Sequence, residues 1–432
     1  MTTAEIISLI GILAGLALLM ILIMKGINIF VISFLAATVV ALTGGLNLYD
    51  ALKTTFVGGF VTFFQSNYLI FLTGVLMGKA MEVTNGAKAI ARLIVRIFGT
   101  RWALLSVPLS CTILAFGGVS TFVVGFAVFP IGLEVFREAD VPRYYMPAAI
   151  CFGSAAVYFP GAPLIHNAIV GEEFGVSLSA GATIGWISGI VVYIIGVVWL
   201  FALVRKSHKK GEHFVAKSMD TFNDDAKCPN GVVALIPLVA AVVLVNTSLV
   251  QLETGVLIGA VLAFVLFHNY YDLKDLLPSI GDACKNTIVS ICNTCAVVAF
   301  GSVVSAAVGF QVVVDAMVSI PGPPLLGVAI GTTVLAGVCG SASGGLGIAA
   351  PLLGPVYLAQ GIPAAAIART MVVACTALDS LPHNGFVVTI TNGLCNETHK
   401  DAYPAVFRLT VIVPFIGTLV AVILFTLFPN LP

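Results

Sequence analysis

Two short stretches each place a proline and then a His-Asn pair inside apolar surroundings: Gly-Ala-Pro-Leu-Ile-His-Asn at residues 161–167 and Asp-Ser-Leu-Pro-His-Asn-Gly at residues 379–385. The chain has six histidines, and two of them, His166 and His383, occupy this matched context 217 residues apart. That separation is about half of the 432 residues. We interpret the two stretches as one element used twice, which predicts an internally duplicated chain with these breaks at its centre.

The composition places the chain in a lipid bilayer. Hydrophobic residues make up 59% of the chain, charged residues 9%, and the mean hydropathy is +1.08. Soluble domains carry about 25% charged residues, so this chain has too few polar side chains to cover a water-facing surface. Long apolar runs favour helices, because a barrel would show segments of about ten residues that alternate in polarity. We therefore predict an all-α polytopic membrane protein whose first apolar run is retained as a span.

Composition also argues against several classes of function. The formal net charge of zero argues against nucleic acid as a partner. Cys292 and Cys295 have the spacing of a redox or metal pair, but no second ligand pair accompanies them. We interpret the nine cysteines as small buried hydrophobic residues and expect no bound metal. No set of nucleophile, base and orienting residue is recognisable, so we expect neither an enzyme nor a cofactor.

The first half, residues 1–204, divides into five predicted spans and one hairpin. An amphipathic stretch at 46–65 precedes the third span, and a helix at 87–98 with a basic face is predicted to lie in the membrane interface. The five spans are 5–24, 27–44, 66–83, 143–160 and 180–204.

A break at Phe-Gly-Gly-Val-Ser-Thr, residues 116–121, interrupts the apolar segment 102–135. Glycine and hydroxyl side chains disfavour a helix here, and both flanks are too short for two comfortable spans. Irregular backbone at membrane depth is tolerated only where it lines a cavity or is buried in protein. We therefore predict a re-entrant hairpin over 102–135 with its tip at this break.

The second half, residues 231–432, repeats this plan after a polar linker at 205–230. Its hairpin is predicted at 323–361, broken at Cys-Gly-Ser-Ala-Ser-Gly-Gly, residues 339–345. An amphipathic stretch at 270–285 and an interfacial stretch at 311–321 complete the half. The predicted spans are 231–249, 254–268, 287–310, 362–382 and 405–429.

The charge distribution predicts that the two halves are inverted repeats. Five spans per half is an odd number, so the second half must enter the membrane from the opposite side. With that topology 18 of the 20 Lys and Arg residues fall on the side of the linker, and only Lys53 and Arg369 fall on the other. Cytoplasmic loops carry the excess of positive charge. The linker is therefore expected in the cytoplasm and both termini outside.

Inverted repeats with broken helices are typical of transporters, with the site near the midplane at the repeat interface. The freed helix N-termini, hydroxyls, amides and imidazoles all offer donors, which suits a small carboxylate with hydroxyl groups. The substrate-binding candidates are Gly117, Gly118, Ser120, Thr121, His166, Asn167, Gly340, Ser341, Ser343, Gly344, His383 and Asn384.

Each of these features has a simpler interpretation that the sequence leaves open. The glycine-rich breaks could serve only close helix packing, and either histidine could be a satisfied buried residue. Asp379 could be a helix-end residue at the interface. Arg369 could pair with a carboxylate or extend outward to water.

Coupling to an ion is expected from the same residues. Histidine titrates near neutral pH, and a carboxylate inside a membrane is a functional candidate, so Asp379, His383 and His166 are candidate proton carriers. Backbone carbonyls at the breaks and Ser or Thr oxygens could equally coordinate sodium.

Three motifs resemble the gluconate permease family, the gluconate:proton symporters of the ion transporter superfamily. They are Phe-Gly-Gly-Val-Ser-Thr-Phe at 116–122, Phe-Arg-Glu-Ala-Asp-Val-Pro at 136–142 and Leu-Pro-His-Asn-Gly at 381–385. The resemblance implies proton-coupled uptake of gluconate or a related organic acid. It also implies a homodimer with scaffold and transport domains of the elevator type. The family includes carriers of other small organic acids and of a D-amino acid.

Together these observations predict a secondary active transporter of the bacterial inner membrane that takes up a small hydroxy-carboxylate by proton symport. The alternatives are a sodium-coupled carboxylate symporter and, in a different class, a passive anion channel. Besides the substrate, the expected partners are membrane lipid and a second copy of the chain.

Overall fold

The computed structural model describes residues 1–116, 121–155, 158–162, 164–218, 220, 227–246, 249–318 and 320–431. These ranges are helical and contain no β-strand. The first half contributes α1 Thr3–Met24, α2 Ile29–Thr43, α3 Leu48–Asp50, α4 Val57–Val83, α5 Gly86–Phe98, α6 Thr100–Phe116, α7 Thr121–Glu138, α8 Met146–Ser154, α9 Ile165–Phe174 and α10 Ala182–His208. The second half contributes α11 Ile236–Asn246, α12 Leu252–Leu266, α13 Leu273–Ala306, α14 Val308–Val318, α15 Pro324–Cys339, α16 Ala342–Ala359, α17 Ala364–Leu378, α18 Gly385–Val388, α19 His399–Phe407 and α20 Val413–Leu427.

Six helical stretches in the described part of the chain are long and apolar enough to cross a membrane. Their surfaces expose large apolar side chains, such as Leu13, Val198 and Ile423, at 57%, 64% and 56% of their areas. Such surfaces are unfavourable in water and match the bilayer predicted from composition. The six stretches are Thr3–Met24, Leu48–Val83, Ala182–His208, Leu276–Ala306, Ala342–Ala359 and His399–Leu427.

The amphipathic stretches at 46–65 and 270–285 are not separate elements, as the sequence indicated. In the first half, α3 runs through a π-helical turn, Ala51–Phe56, directly into α4. In the second half, α13 begins at Leu273 and continues to Ala306. Packing explains why the glycines of α4 do not break it: a Cβ at Gly59 would lie 2.2 Å from Oγ of Ser302, so glycine allows α4 and α13 to approach closely.

Two other predicted spans also differ from the structure. The predicted span 143–160 is only the nine-residue helix α8, preceded by a 3-10 turn at Arg143–Tyr145. Nine residues rise about 14 Å, which is about half of the hydrocarbon thickness. The predicted span 405–429 begins earlier, because α19 continues through a π-helical turn, Arg408–Ile412, into α20. The linker also begins later than residue 205, since α10 extends to His208.

Both predicted hairpins are pairs of helices. The segment 102–135 contains α6 and α7, and the segment 323–361 contains α15 and α16, with the second pair packed directly against each other. Helices α6 and α15 have 17 and 16 residues. They therefore rise about 24–26 Å, less than the roughly 30 Å of bilayer hydrocarbon. Hairpins of this length reach deep into a membrane without crossing it fully.

The same hydrogen bond anchors each hairpin to the short helix that follows it. Thr112 Oγ1 donates to the main-chain oxygen of Gly153 at 3.0 Å, and Thr333 Oγ1 donates to that of Ala374 at 2.9 Å. The two pairs are 221 residues apart, as are Pro142 and Pro363, which both lie at the start of the next helix with nearly equal dihedral angles. Each half thus positions its hairpin with equivalent residues.

The linker folds back and joins segments from both halves. Arg143 forms a two-point ion pair with Asp220, at 2.8 Å for both contacts, and a second pair with Glu397 at 2.6 Å. Lys217 of the linker also pairs with Glu397, at 2.8 Å. Because the Arg143 side chain is 4% exposed, this cluster is shielded from water. The charge analysis places these three segments on one side of the membrane, and the structure brings them together.

Candidate functional site

The second His-Asn pair closes the gap between two helices. Helix α17 ends at Leu378 and α18 begins at Gly385. Asn384 lies at the start of α18, where its Oδ1 accepts a hydrogen bond from the main-chain N–H of Val387 at 2.8 Å. Its Nδ2 donates to the main-chain oxygen of Gly340 at 3.0 Å. One amide therefore connects the break to the tip of the second hairpin.

His383 is buried against the same hairpin tip. Its Nε2 lies 3.1 Å from the main-chain oxygen of Gly337, and a carbonyl can only accept, so Nε2 carries the proton. Its Nδ1 is buried and has no hydrogen-bond partner in the part of the chain that the structure describes. Gly340 has a φ of +60°, and a Cβ there would lie 2.6 Å from Cδ2 of His383. Glycine is therefore required both by the backbone and by the ring.

The hairpin tip presents hydroxyl groups at the N-terminus of α16. The Oγ of Ser341 accepts from the main-chain N–H of Gly344 at 3.2 Å and lies 3.3 Å from the Oγ of Ser343. Both serines are half-buried and Gly344 is exposed. The positive end of a helix dipole and two hydroxyls are thus accessible beside His383 and Asn384, as anion binding requires.

Asp379 lies at the other end of the break, directly after α17. Its carboxylate accepts a hydrogen bond from Oγ of Ser380 at 2.9 Å. Among the described residues no cation pairs with it. The carboxylate is therefore available to a proton or to a cation.

Helix α19 fixes the loop between Asp379 and His383, which the sequence analysis missed. Tyr403 donates from its hydroxyl to the main-chain oxygen of Ser380 at 3.0 Å. His399 donates from Nε2 to that of Pro382 at 3.1 Å, and its Nδ1 has no partner among the described residues. The i, i+4 spacing of His399 and Tyr403 on one helix is the signal that could have been noticed.

The first His-Asn pair has a different local position from the second. His166 and Asn167 lie within the first turn of α9, whereas His383 and Asn384 precede α18. His166 is half-buried, and its Nδ1 has no partner in the described ranges. No hydrogen bond or ring contact joins His166 to His383 there. The two pairs therefore flank different parts of the fold.

Asn167 connects the first break to α17 through Arg369. The Oδ1 of Asn167 accepts from Nη1 of Arg369 at 2.8 Å. The same guanidinium donates to the main-chain oxygens of Leu178 and Ala180 at 2.8 and 2.9 Å. Arg369 is 2% exposed, so it neither extends outward nor pairs with a carboxylate of the described chain. It binds three neutral acceptors from the other half.

The helix after each break lies against the hairpin of the other half. Phe122 at the start of α7 contacts Phe386 of α18, with ring centroids 5.3 Å apart. On the other side, α9 packs on α16, where a Cβ at Gly354 would lie 2.3 Å from the ring of Phe174. Of the predicted first tip, Thr121 begins α7 and is half-buried. Gly117, Gly118 and Ser120 lie outside the described residues.

These apolar helices, broken beside paired hairpins, define an integral membrane protein with several membrane passages. The chain belongs to the GntP permease family, because the model of "GntP family permease" matches residues 7–267. This confirms the resemblance noted in the sequence and establishes a transporter of that family. It also supports the expectation that the chain is not an enzyme.

Two curated proteins are similar to the chain. The "Uncharacterized transporter YxjC" of Bacillus subtilis is 28% identical, over 94% of this chain and 96% of that protein. The "High-affinity gluconate transporter" of Escherichia coli is 24% identical, over 66% of this chain and 68% of that protein. The solved structure of the Alcanivorax borkumensis YdaH transporter is similar over 93% of this chain and 99% of that one, at 15% identity and a TM-score of 0.39.

Proposed function

We propose that this transporter takes up a small hydroxy-carboxylate, such as gluconate, by proton symport. The observation that supports this most is the second break. There an unpaired carboxylate, Asp379, and an unpaired imidazole nitrogen, Nδ1 of His383, flank a loop beside the accessible N-terminus of α16. The gluconate transporter among the relatives supports the choice of substrate.

Recognition of the substrate would use the hairpin tip. A carboxylate is favoured at the N-terminus of α16, where the exposed backbone at Gly344 allows close approach. Substrate hydroxyls would exchange hydrogen bonds with Ser341, Ser343 and Nδ1 of His383. The first-hairpin residues and His166 complete the proposed set from the other half of the chain.

Proton coupling follows from the charge on Asp379. A substrate carboxylate and the Asp379 carboxylate repel each other in a site of low dielectric constant. A proton on Asp379 removes that repulsion, so proton and anion each favour the binding of the other. Protonation also removes the cost of carrying an unpaired charge through the membrane. His383 and His166 are further candidate carriers.

Sodium coupling is the nearest alternative. Sodium would need several oxygen ligands at the break. The main-chain oxygens of Gly337 and Gly340 already accept hydrogen bonds from His383 and Asn384, which leaves fewer free carbonyls there. This favours the proton.

The proposed architecture consists of two inverted repeats, 1–204 and 231–432, joined by a cytoplasmic linker. The equivalent Thr112 and Thr333 bonds, 221 residues apart, support the repeat. The contact of each post-break helix with the opposite hairpin supports a site between the halves. An elevator mechanism, a homodimer, the bacterial inner membrane and outward-facing termini complete the proposal.

Uptake into proteoliposomes tests this function. With an inward proton gradient and no sodium, we expect saturable accumulation of labelled gluconate or hydroxybutyrate above the external concentration. Accumulation that requires sodium and ignores the pH gradient would support the sodium alternative. Equilibration without accumulation or counterflow would indicate a channel and contradict the proposal.

A further inference from the structure

A cavity of about 620 Å³ lies where α10 ends beside α19. Four cations line it: Lys206 and Lys210 at the end of α10, Lys400 of α19 and Arg408 of the π-helical turn. None of the four side chains forms a hydrogen bond or an ion pair within the described part of the chain. Nearby, by contrast, Arg143 is fully engaged by carboxylates.

Two carboxylates also line the cavity, but both are bonded elsewhere. Glu212 accepts a hydrogen bond from the hydroxyl of Tyr144. Asp401 accepts from Oγ1 of Thr398 at 2.6 Å. Hydrogen bonds from Ser207 and then Tyr144 lower the pKa of Glu212, so it stays ionised. Four cations against two anions leave the cavity with a net positive charge and no protein group that neutralises it.

The cavity opens at the end of an apolar stripe on α10. Ile187, Ile190, Ile194 and Val198 recur at helical spacing and are 43%, 49%, 57% and 64% exposed. Trp199 lines the cavity just above this stripe. Tryptophan is enriched where the hydrocarbon of a bilayer meets its headgroups. The cations therefore lie at headgroup depth, directly beyond a surface that suits acyl chains.

We propose that this cavity binds the headgroup of an anionic phospholipid, with its phosphate among Lys206, Lys210, Lys400 and Arg408. Basic pockets between transmembrane helices bind such headgroups, and the guanidinium of Arg408 can bind a phosphate through two hydrogen bonds. The acyl chains lie along the α10 stripe. The stripe favours a lipid over free phosphate, which has no apolar part. The inference goes beyond the transported substrate and does not depend on it.

Native mass spectrometry of the purified full chain, titrated with phosphatidylglycerol or cardiolipin, tests the site. The pocket variant carries Lys206→Gln, Lys400→Gln and Arg408→Gln. Each cation near a membrane surface contributes about fivefold to affinity, so this variant should bind about 100-fold more weakly. A control with Lys25→Gln, Arg96→Gln and Lys274→Gln loses the same charge at exposed positions and should bind like the wild type.

A charge-conserving variant guards against misfolding. Lys206→Arg with Lys400→Arg keeps the charges and should retain the lipid. Equal weakening in the pocket and control variants would overturn the proposal, because binding would then follow net charge alone. Inorganic phosphate that binds the cavity as tightly as phosphatidylglycerol would overturn it too, as would equal binding of zwitterionic phosphatidylethanolamine.

Discussion

The Nε2 atom of His383 lies 3.1 Å from the main-chain oxygen of Gly337, which joins the second helix break to the last turn of a hairpin helix. This bond fixes the tautomer and leaves Nδ1 buried without a partner among the described residues. A buried polar atom without a partner is costly, and natural proteins tolerate it where a ligand or proton completes it. The bond therefore orients a reactive atom.

Removing this imidazole should stop transport. His383→Ala removes the proposed contact to substrate, so we expect uptake to fall about tenfold or more while the protein still inserts. His166→Ala should cut uptake as well. The control is His268→Ala, since His268 is exposed outside the site. Uptake at the wild-type rate in both site variants would refute the proposed site.

A methyl group at Gly340 should displace His383. Gly340→Ala adds a Cβ within 2.6 Å of a ring that is buried and hydrogen-bonded. Gly175 offers a matched control because its dihedral angles are φ 61° and ψ 33°, against φ 60° and ψ 29° at Gly340, and nothing lies within 4 Å of its added Cβ. Both alanines should cost about 1 kcal/mol of stability through the left-handed backbone. Only Gly340→Ala should lose uptake, and equal uptake in the two variants would contradict the contact.

Arg369 should stabilise the contact between the halves through its fork of donors. Arg369→Lys keeps the charge but cannot reach Asn167, Leu178 and Ala180 together, so two of three charge-assisted bonds are lost. We expect the free energy of unfolding in mixed micelles to fall by about 3 kcal/mol. Arg96→Lys, at an exposed position, should change nothing. Similar unfolding curves for both variants would show that the fork is dispensable.

The ion cluster of the linker should stabilise the fold more than surface pairs do. Glu397→Ala removes one carboxylate from Arg143 and the partner of Lys217, so we expect a loss of about 2 kcal/mol. Asp282→Ala breaks the pair with Lys285, whose side chains are 67% and 79% exposed, and should leave the unfolding midpoint unchanged. A midpoint for Glu397→Ala that also stays unchanged would mean that the linker does not fasten the two halves.

The hairpins and breaks could be predicted because their signals are local. Clustered glycine and serine at 339–345 disfavour a helix whatever surrounds them, and the structure ends α15 and begins α16 there. The sequence also located most spans to within a few residues. By contrast, the continuity of α4 depends on a distant partner, because Gly59 is tolerated through its contact with Ser302.

The partners of buried polar groups could not be predicted from the sequence. Arg369 binds carbonyl oxygens of Leu178 and Ala180, and a carbonyl carries no sequence signal. His399 was missed for the same reason, since it binds the main chain of Pro382. Matched His-Asn pairs indicated equal roles, yet the pairs differ in helix position because the loops before them differ in length.

The most direct test of the account is proton movement driven by substrate. Proteoliposomes that enclose a pH indicator, with the membrane potential clamped and no sodium present, should acidify inside when gluconate is added outside. In Asp379→Asn the amide cannot carry the proton, so acidification should disappear while gluconate binding is retained. Asp282→Asn should behave like the wild type. Transport of gluconate by the wild type without acidification, or unchanged acidification in Asp379→Asn, would contradict proton symport through this residue.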